Sequence, residues 1–329
     1  LRTTTILPGL RKHLPDYRIT WITDVPAIPL LKNNPMINSL CAMEACGMLT
    51  CSRMNYDLAI NFEKEDRALA LMDFISAREK RGFAFSPSGT LSIANQESLY
   101  ALQLGLHDEL KYRHNKKTYP EIIYEMAQIP YDHEMYVLAP SPQALEAAED
   151  LKSRLALFDD RPTIGLNTGC GGVFETKSWT MDGFVALARR LISDGDCNLL
   201  LLGGAREAEL NHAILEQAGP GLHSTGCANS LEDFIGIVNL CDVVVSSDSL
   251  AAHIAIGLGK QSVVFFGPTC PQEVDLFGRG EKIITSPPCA PCYLKKCRLE
   301  RSCLADLDPD EVYKAVRRCM TGLPGKSAQ

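Results

Sequence analysis

Two spacings of apolar residues alternate along the chain. Short runs such as YRITWITD (17–24), YDLAINF (56–62), PTIGLN (162–167), CNLLLL (197–202) and SVVFF (262–266) read as strands. Between them lie segments with apolar residues three or four apart, which read as helices: 1–16, 66–79, 100–126, 141–157, 180–195, 205–219 and 230–241. KRGFAFSPSG (80–89) reads as a strand running into a turn, and LHSTG (222–226) as a short strand. Ser141 before Pro142, and Ser230 before Glu232 and Asp233, are helix-start signals. Repeated strand–helix units of this size predict parallel sheets joined by right-handed crossovers. The alternation weakens between 132 and 142, so the expected organisation is two doubly wound domains, 1–140 and 141–329, with a cleft between them.

The segment DVVVSSDSLAAHIAIGLGKQSVVFFGPT (242–269) is the most informative. A β-branched strand, Val243–Val245, runs into Ser-Ser-Asp-Ser. Small residues then open a helix carrying His253, and a second strand ends in Gly-Pro-Thr. Ligands of open parallel sheets sit at the carboxyl ends of strands, where helix N-termini offer free N–H groups to anions. A nucleotide diphosphate suits such a place. Asp248 and Ser249 stand at the helix start, where Asp248 reads either as an N-cap or as a ligand contact. His253, one turn on, reads as a phosphate or sugar contact or as a packed histidine.

Upstream, NTGCGGVFETKSW (167–179) places Thr168 and Gly169 in a glycine-rich turn and Lys177 just ahead of the next helix, which Trp179 is expected to begin. No G-K-[ST] closes that turn, so it is not a P-loop. Lys177 is either a phosphate contact or a surface lysine. In LLLGGAREAE (200–209), Glu207 or Glu209 can bond ribose hydroxyls or merely complement a helix dipole.

Composition bounds the rest. With 329 residues, 46% hydrophobic and 22% charged, the chain has material for two cores. A net charge of −7 argues against broad nucleic-acid binding. No apolar run approaches the roughly 20 residues of a membrane span. Thirteen cysteines, an odd number, read as reduced cytosolic thiols rather than a disulfide framework. Four of them, Cys289, Cys292, Cys297 and Cys303, form C-x2-C-x4-C-x5-C. That spacing offers a zinc or iron–sulfur ligand set or a group of redox-labile thiols. The interleaved Lys295, Lys296, Arg298 and Arg301 face phosphate, a membrane surface or solvent.

SSDSLAAHIAIGLGKQSVVFFGPT resembles the hallmark segment of the glycosyltransferase family nine enzymes, the ADP-heptose:lipopolysaccharide heptosyltransferases and their relatives. NTGCGGVFETKSWTMDGFVALARRL, YDLAINFEKED with AREKRGF, and CAPCYLKKC are similar to other parts of that family. The resemblance implies a GT-B architecture, two Rossmann-like domains with parallel sheets, the first binding the acceptor and the second the nucleotide sugar. It implies Asp248 on the donor sugar, Ser249 and His253 beside the diphosphate, Lys177 on phosphate and Glu207 near the nucleoside, with Thr168 and Gly169 in the donor loop. It implies an inverting transfer that requires no cofactor, with ADP-heptose as donor and a glycolipid of lipopolysaccharide type as acceptor. The place is the cytoplasm, with peripheral contact at the inner membrane. The basic N-terminal residues are expected near the acceptor, although no motif says which.

Two departures from the family stand out. Leu250 occupies a position that is usually glycine, which implies a reshaped donor pocket or another sugar. The family's presumed catalytic Asp lies in a loop expected just before Leu1, so the sequence reads as partial and the catalytic base as unassigned. A sugar epimerase of the same architecture, and a non-catalytic nucleotide-sugar or metal-binding protein, are the competing expectations.

Overall fold

The computed structural model describes residues 1–14, 16–172, 174–285 and 287–323. The last residues of the expected second domain, 324–329, and Pro15 of the expected first helix lie outside them. The chain divides into two compact units: Leu1–Ala139 with Gln272–Asp275, and Pro140–Pro271 with Leu276–Gln329. The short return of Gln272–Asp275 to the first unit is a feature that a single boundary does not capture.

The first unit holds α1 (Ile6–His13), β1 (Thr20–Thr23), β2 (Ser39–Ala42), α2 (Ala45–Ser52), β3 (Asn55–Asn61), α3 (Asp66–Phe74), β4 (Ser76–Phe85), β5 (Leu91–Ile93), α4 (Leu99–Leu106) and α5 (Tyr119–Met126). β1 and β2 pair in parallel as one small sheet. β3 and β4 pair in parallel and β5 adds to β4 antiparallel, Phe83 facing Ile93. The helix expected over 66–79 stops at Phe74, because Ser76 onwards is drawn into pairing with β3. The helical stretch expected over 100–126 breaks in two. Thr118 accepts from Glu121 N and the Glu121 carboxylate accepts from Thr118 N, a capping box that starts α5 afresh. Its Tyr124 is buried; the hydroxyl donates to Thr5 O at 2.6 Å and accepts from Gly9 N at 3.2 Å.

The second unit holds α6 (Pro142–Arg154), β6 (Thr163–Asn167), α7 (Met181–Asp194), β7 (Asn198–Leu202), α8 (Ala208–Ala218), β8 (Leu222–Ser224), α9 (Leu231–Leu240), β9 (Val243–Ser247), α10 (Leu250–Gly257), β10 (Gln261–Phe266), β11 (Gly280–Ile284) and α11 (Pro309–Thr321). Its six strands form one parallel sheet in the order β11-β10-β9-β6-β7-β8. Every residue of β6, β7 and β9 is buried, as a sheet covered on both faces requires. Alternate positions serve the two faces. Leu166, Leu199, Leu201, Val243, Val245 and Phe265 pack with Phe184, Leu187 and Leu191 of α7 and Val312 and Val316 of α11. On the other side α6 packs on α9, and α10 on β9 and β10. Gly236 lets α9 press against α6: a Cβ there would stand 2.2 Å from Ala144 O.

Candidate functional site

Three neighbouring strands, β9, β6 and β7, deliver polar residues from their carboxyl ends, and these residues all belong to the second unit. β9 ends in Ser246 and Ser247, and Ser249 caps α10 by accepting from Ala252 N at 3.5 Å. Of the two readings of Asp248, the N-cap is therefore set aside. Asp248 stands one residue earlier, and its carboxylate stays available for side chains.

Those side chains are Lys177 and His253. Lys177 Nζ donates to Asp248 O at 2.5 Å and lies 3.9 Å from Asp248 Oδ2. His253 Nε2 lies 3.5 Å from Asp248 Oδ1, since one helical turn carries it back over the N-terminus of α10. All three side chains are less than one-fifth exposed. Burial alone would raise the Asp248 carboxyl. The His253 hydrogen bond, the Lys177 charge and the Thr269 hydroxyl outweigh it and hold the group well below the usual carboxylate range. Asp248 is thus an anion at neutral pH, framed by a cation and an imidazole.

A second layer fixes this arrangement. Asn167 Nδ2, at the end of β6, donates to Ser246 Oγ at 2.9 Å and to Gly169 O at 2.7 Å. Ser246 and Ser249 hydroxyls meet at 2.8 Å, so β6, its loop and the α10 cap share one buried network. Thr168 Oγ1 donates to Asn211 Oδ1 at 2.6 Å, and Asn211 Nδ2 donates to Leu202 O at 3.2 Å. Thr168 is buried and positions the loop rather than opening onto it. Beyond β7, Glu207 accepts from Gly204 N at 2.9 Å, and its carboxylate carbon sits 3.3 Å from where a Cβ on Gly169 would be. Sequence reasoning missed Asn167, Ser246, Asn211 and Thr269. A polar residue closing an otherwise apolar strand is the signal that marks the first two.

Trp179 does not begin α7 as expected. Thr180 caps that helix, accepting from Gly183 N at 3.1 Å, while the Trp179 ring is buried against Phe184 and Phe265 at 4.9 and 5.2 Å. Leu250, the first residue of α10, is 46% exposed and places an apolar side chain beside the cap.

The four cysteines differ in their surroundings. Cys289 and Cys297 are exposed, and Cys303 packs against Gly267 and the Thr285 hydroxyl. Among the described residues no group of three His, Cys, Asp or Glu side chains is placed to hold a metal ion. The segment braces the glycine-rich loop. Thr176 Oγ1 donates to Leu294 O at 2.8 Å, the Phe174 and Tyr293 rings meet edge to face at 6.1 Å, and Cys292 N and Tyr293 N both donate to Pro268 O. No helix among the described residues is long and apolar enough to cross a membrane.

Comparison with known proteins places this geometry. The chain is 28% identical over 237 residues to lipooligosaccharide heptosyltransferase 2 of Haemophilus influenzae, covering 67% of this chain and 63% of that protein. It thus spans just under two thirds of that relative's length. Its fold matches a family 9 glycosyl transferase from Veillonella parvula, with a TM-score of 0.75 and 18% identity over 96% of this chain and 92% of that one. It also matches the Escherichia coli ADP-heptose lps heptosyltransferase II, with a TM-score of 0.68 and 18% identity over 97% and 94% of the two chains. The α/β fold with parallel sheets is therefore that of the solved GT-B heptosyltransferases. The sequence description of glycosyltransferase family 9 (heptosyltransferase) matches residues 50–302, and the chain belongs to that family.

Proposed function

We propose that this protein transfers a sugar from a nucleoside diphosphate to a hydroxyl of a lipopolysaccharide-type glycolipid, with ADP-heptose as the donor and inversion at the anomeric carbon. The observation that carries the reading is the meeting of Lys177, His253 and Asp248 at the N-terminus of α10. The second unit binds the donor: its diphosphate lies along that N-terminus and the glycine-rich loop, its sugar hydroxyls meet Asp248, and its ribose meets Glu207. The first unit binds the acceptor.

In the reaction a carboxylate takes the proton from the acceptor hydroxyl. The oxygen attacks the anomeric carbon, and the bond from that carbon to the diphosphate breaks, its electron pair leaving with the nucleoside diphosphate. Negative charge grows on the leaving group. Lys177, the loop N–H groups and the free N–H groups of α10 face it and stabilise it before any reorganisation is needed. Asp248 is held ionised and serves to orient Lys177 and the sugar; the proton-accepting carboxylate is not assigned to a residue here. No step calls for a cofactor. Protein of this kind works at the inner face of the membrane that holds its glycolipid.

The test is transfer by the full-length protein with ADP-heptose and with other nucleotide sugars, using heptose-deficient lipopolysaccharide as acceptor and nuclear magnetic resonance to read the new linkage. Inverted product from ADP-heptose is the expected result. Preference for another nucleotide sugar would assign the donor differently and point to Leu250, and ADP binding without transfer would sink the enzymatic reading.

A further inference from the structure

We propose that Arg206 is a diphosphate-binding residue of the donor site, an inference that rests on the donor-site reading above. Arg206 lies in the single helical turn Ala205–Glu207 between β7 and α8. Its guanidinium lies directly against Gly172 in the glycine-rich loop: a Cβ on Gly172 would stand 1.6 Å from Nη1 and 2.4 Å from Cζ. Only the missing side chain at Gly172 lets the group come so close. The next residue turns the other way, the Glu207 carboxylate facing Gly169 and accepting from Gly204 N at 2.9 Å. Arg206 and Glu207 therefore straddle one loop, the cation at its outer end and the anion at its base.

Charge accounting gives this placement its meaning. Lys177 and His253 both face the Asp248 carboxylate, so the anion they frame offsets the positive charge that a diphosphate would meet there. A departing nucleoside diphosphate gains a further negative charge as the sugar leaves. Among the described residues the Arg206 guanidinium has no ion pair or hydrogen bond, and none of them offsets its charge. A guanidinium presents parallel N–H groups to two phosphate oxygens, a geometry that lysine does not reproduce. The nucleoside half of the donor has no charge to reward it. The ligand group is therefore the diphosphate, not the base.

The test is calorimetric titration of the full chain with ADP and, separately, with adenosine. Arg206 is exposed, so Arg206→Ala is expected to melt where the parent does. We expect that variant to weaken ADP binding by about 10- to 100-fold, the usual loss for a hydrogen bond to a charged group. Adenosine binding should not change, and Arg206→Lys should restore only part of the loss. Gly172→Ala, which displaces the guanidinium without removing it, should fall between the parent and Arg206→Ala. ADP affinity within twofold of the parent in Arg206→Ala would overturn the proposal. So would an equal loss for ADP and adenosine, which means stacking on the base or a structural role. If the parent chain itself takes up no ADP, the donor-site reading fails first and this inference falls with it.

Discussion

Every residue of β6, β7 and β9 in the second unit is buried, and three of those strands' neighbours extend one continuous parallel sheet. In that unit β8 lies beyond β7, and β10 then β11 beyond β9. In the first unit no residue of β1 is buried, β2 begins exposed, and β3 alternates exposed with half-buried positions before its last three residues. The strands there form two small sheets, served by separate apolar clusters around Ile6 and Tyr124, around Leu69 and Phe83, and around Leu71 and Met72. The difference teaches where geometric precision is invested. Asp248, Thr168 and Glu207 hang from strand ends that cannot shift without disturbing the whole core of their unit. The first unit has smaller cooperative pieces, and it is the unit proposed above to take the acceptor. Leu201→Ala in β7 is expected to cost about 2–5 kcal/mol, whereas Leu58→Ala in half-buried β3 should cost clearly less. Urea unfolding followed by hydrogen exchange of each unit measures both, and equal costs would break the comparison.

The site itself can be tested apart from the scaffold. Lys177→Ala removes the cation proposed to face the leaving group and leaves the sheet untouched. We expect the specificity constant for transfer to fall by about 10²–10³, as when one preorganised donor is lost from a transition state, beyond a stability loss of about 1–3 kcal/mol from stripping the largely buried Asp248 of its cation. A parent-like rate would separate Lys177 from the chemistry and reduce it to a partner of Asp248.

Asp248 connects the site to stability. Its carboxyl titrates lower in the folded protein than in the unfolded chain, where the ordinary value is 3.8. The unfolded state therefore binds the proton more readily, and the stabilisation is complete above that value and is lost as pH falls toward the lower folded one. Asp248→Asn should cost about 1–3 kcal/mol near neutrality, because it strips Lys177 and His253 of their anion. The gap between parent and variant should narrow as pH drops below roughly 4. A gap that is constant with pH would show that the loss is one of packing, not charge.

Five of the second unit's six parallel strands, all but β11, are legible in the sequence for the same reason that they hold the site: apolar runs such as NLLLL leave no other placement. In the first unit, residues 39–52 carry small residues and cysteines without a clean period, so β2 and α2 cannot be seen in them. Helical spacing over 66–79 misleads, because pairing of Tyr56 with Ala77 and Leu58 with Glu79 overrides local preference. At the site, Asp248, Lys177, His253 and Glu207 are visible because each follows a strand and stands beside glycines or small residues. Asn167 and Ser246 carry only the weaker signal of a polar residue closing an apolar strand, because their partnership spans 79 residues and exists only once β6 and β9 are neighbours. The cysteine run adds something its spacing does not show: the backbone of Leu294 accepts from Thr176 and so supports the loop that carries Lys177.

That support gives the smallest expected effect and the sharpest test of how the second unit holds its loop. Thr176 is buried and donates to Leu294 O at 2.8 Å, one residue before Lys177 and far along the chain from its acceptor. Thr176→Val keeps the shape and removes the hydroxyl, at an expected cost of about 0.5–1.5 kcal/mol. Thr176 does not touch the donor in the proposed pose, so the loss should appear as looser placement of Lys177. The Michaelis constant for the nucleotide sugar should rise a few-fold while the turnover number changes less, since loop order is restored once the diphosphate is bound. Thr176→Ser, which keeps the donor, should behave like the parent. A fall in turnover number alone would mean that the brace acts on the chemical step, and the division between a rigid donor scaffold and its supporting segment would have to be drawn elsewhere.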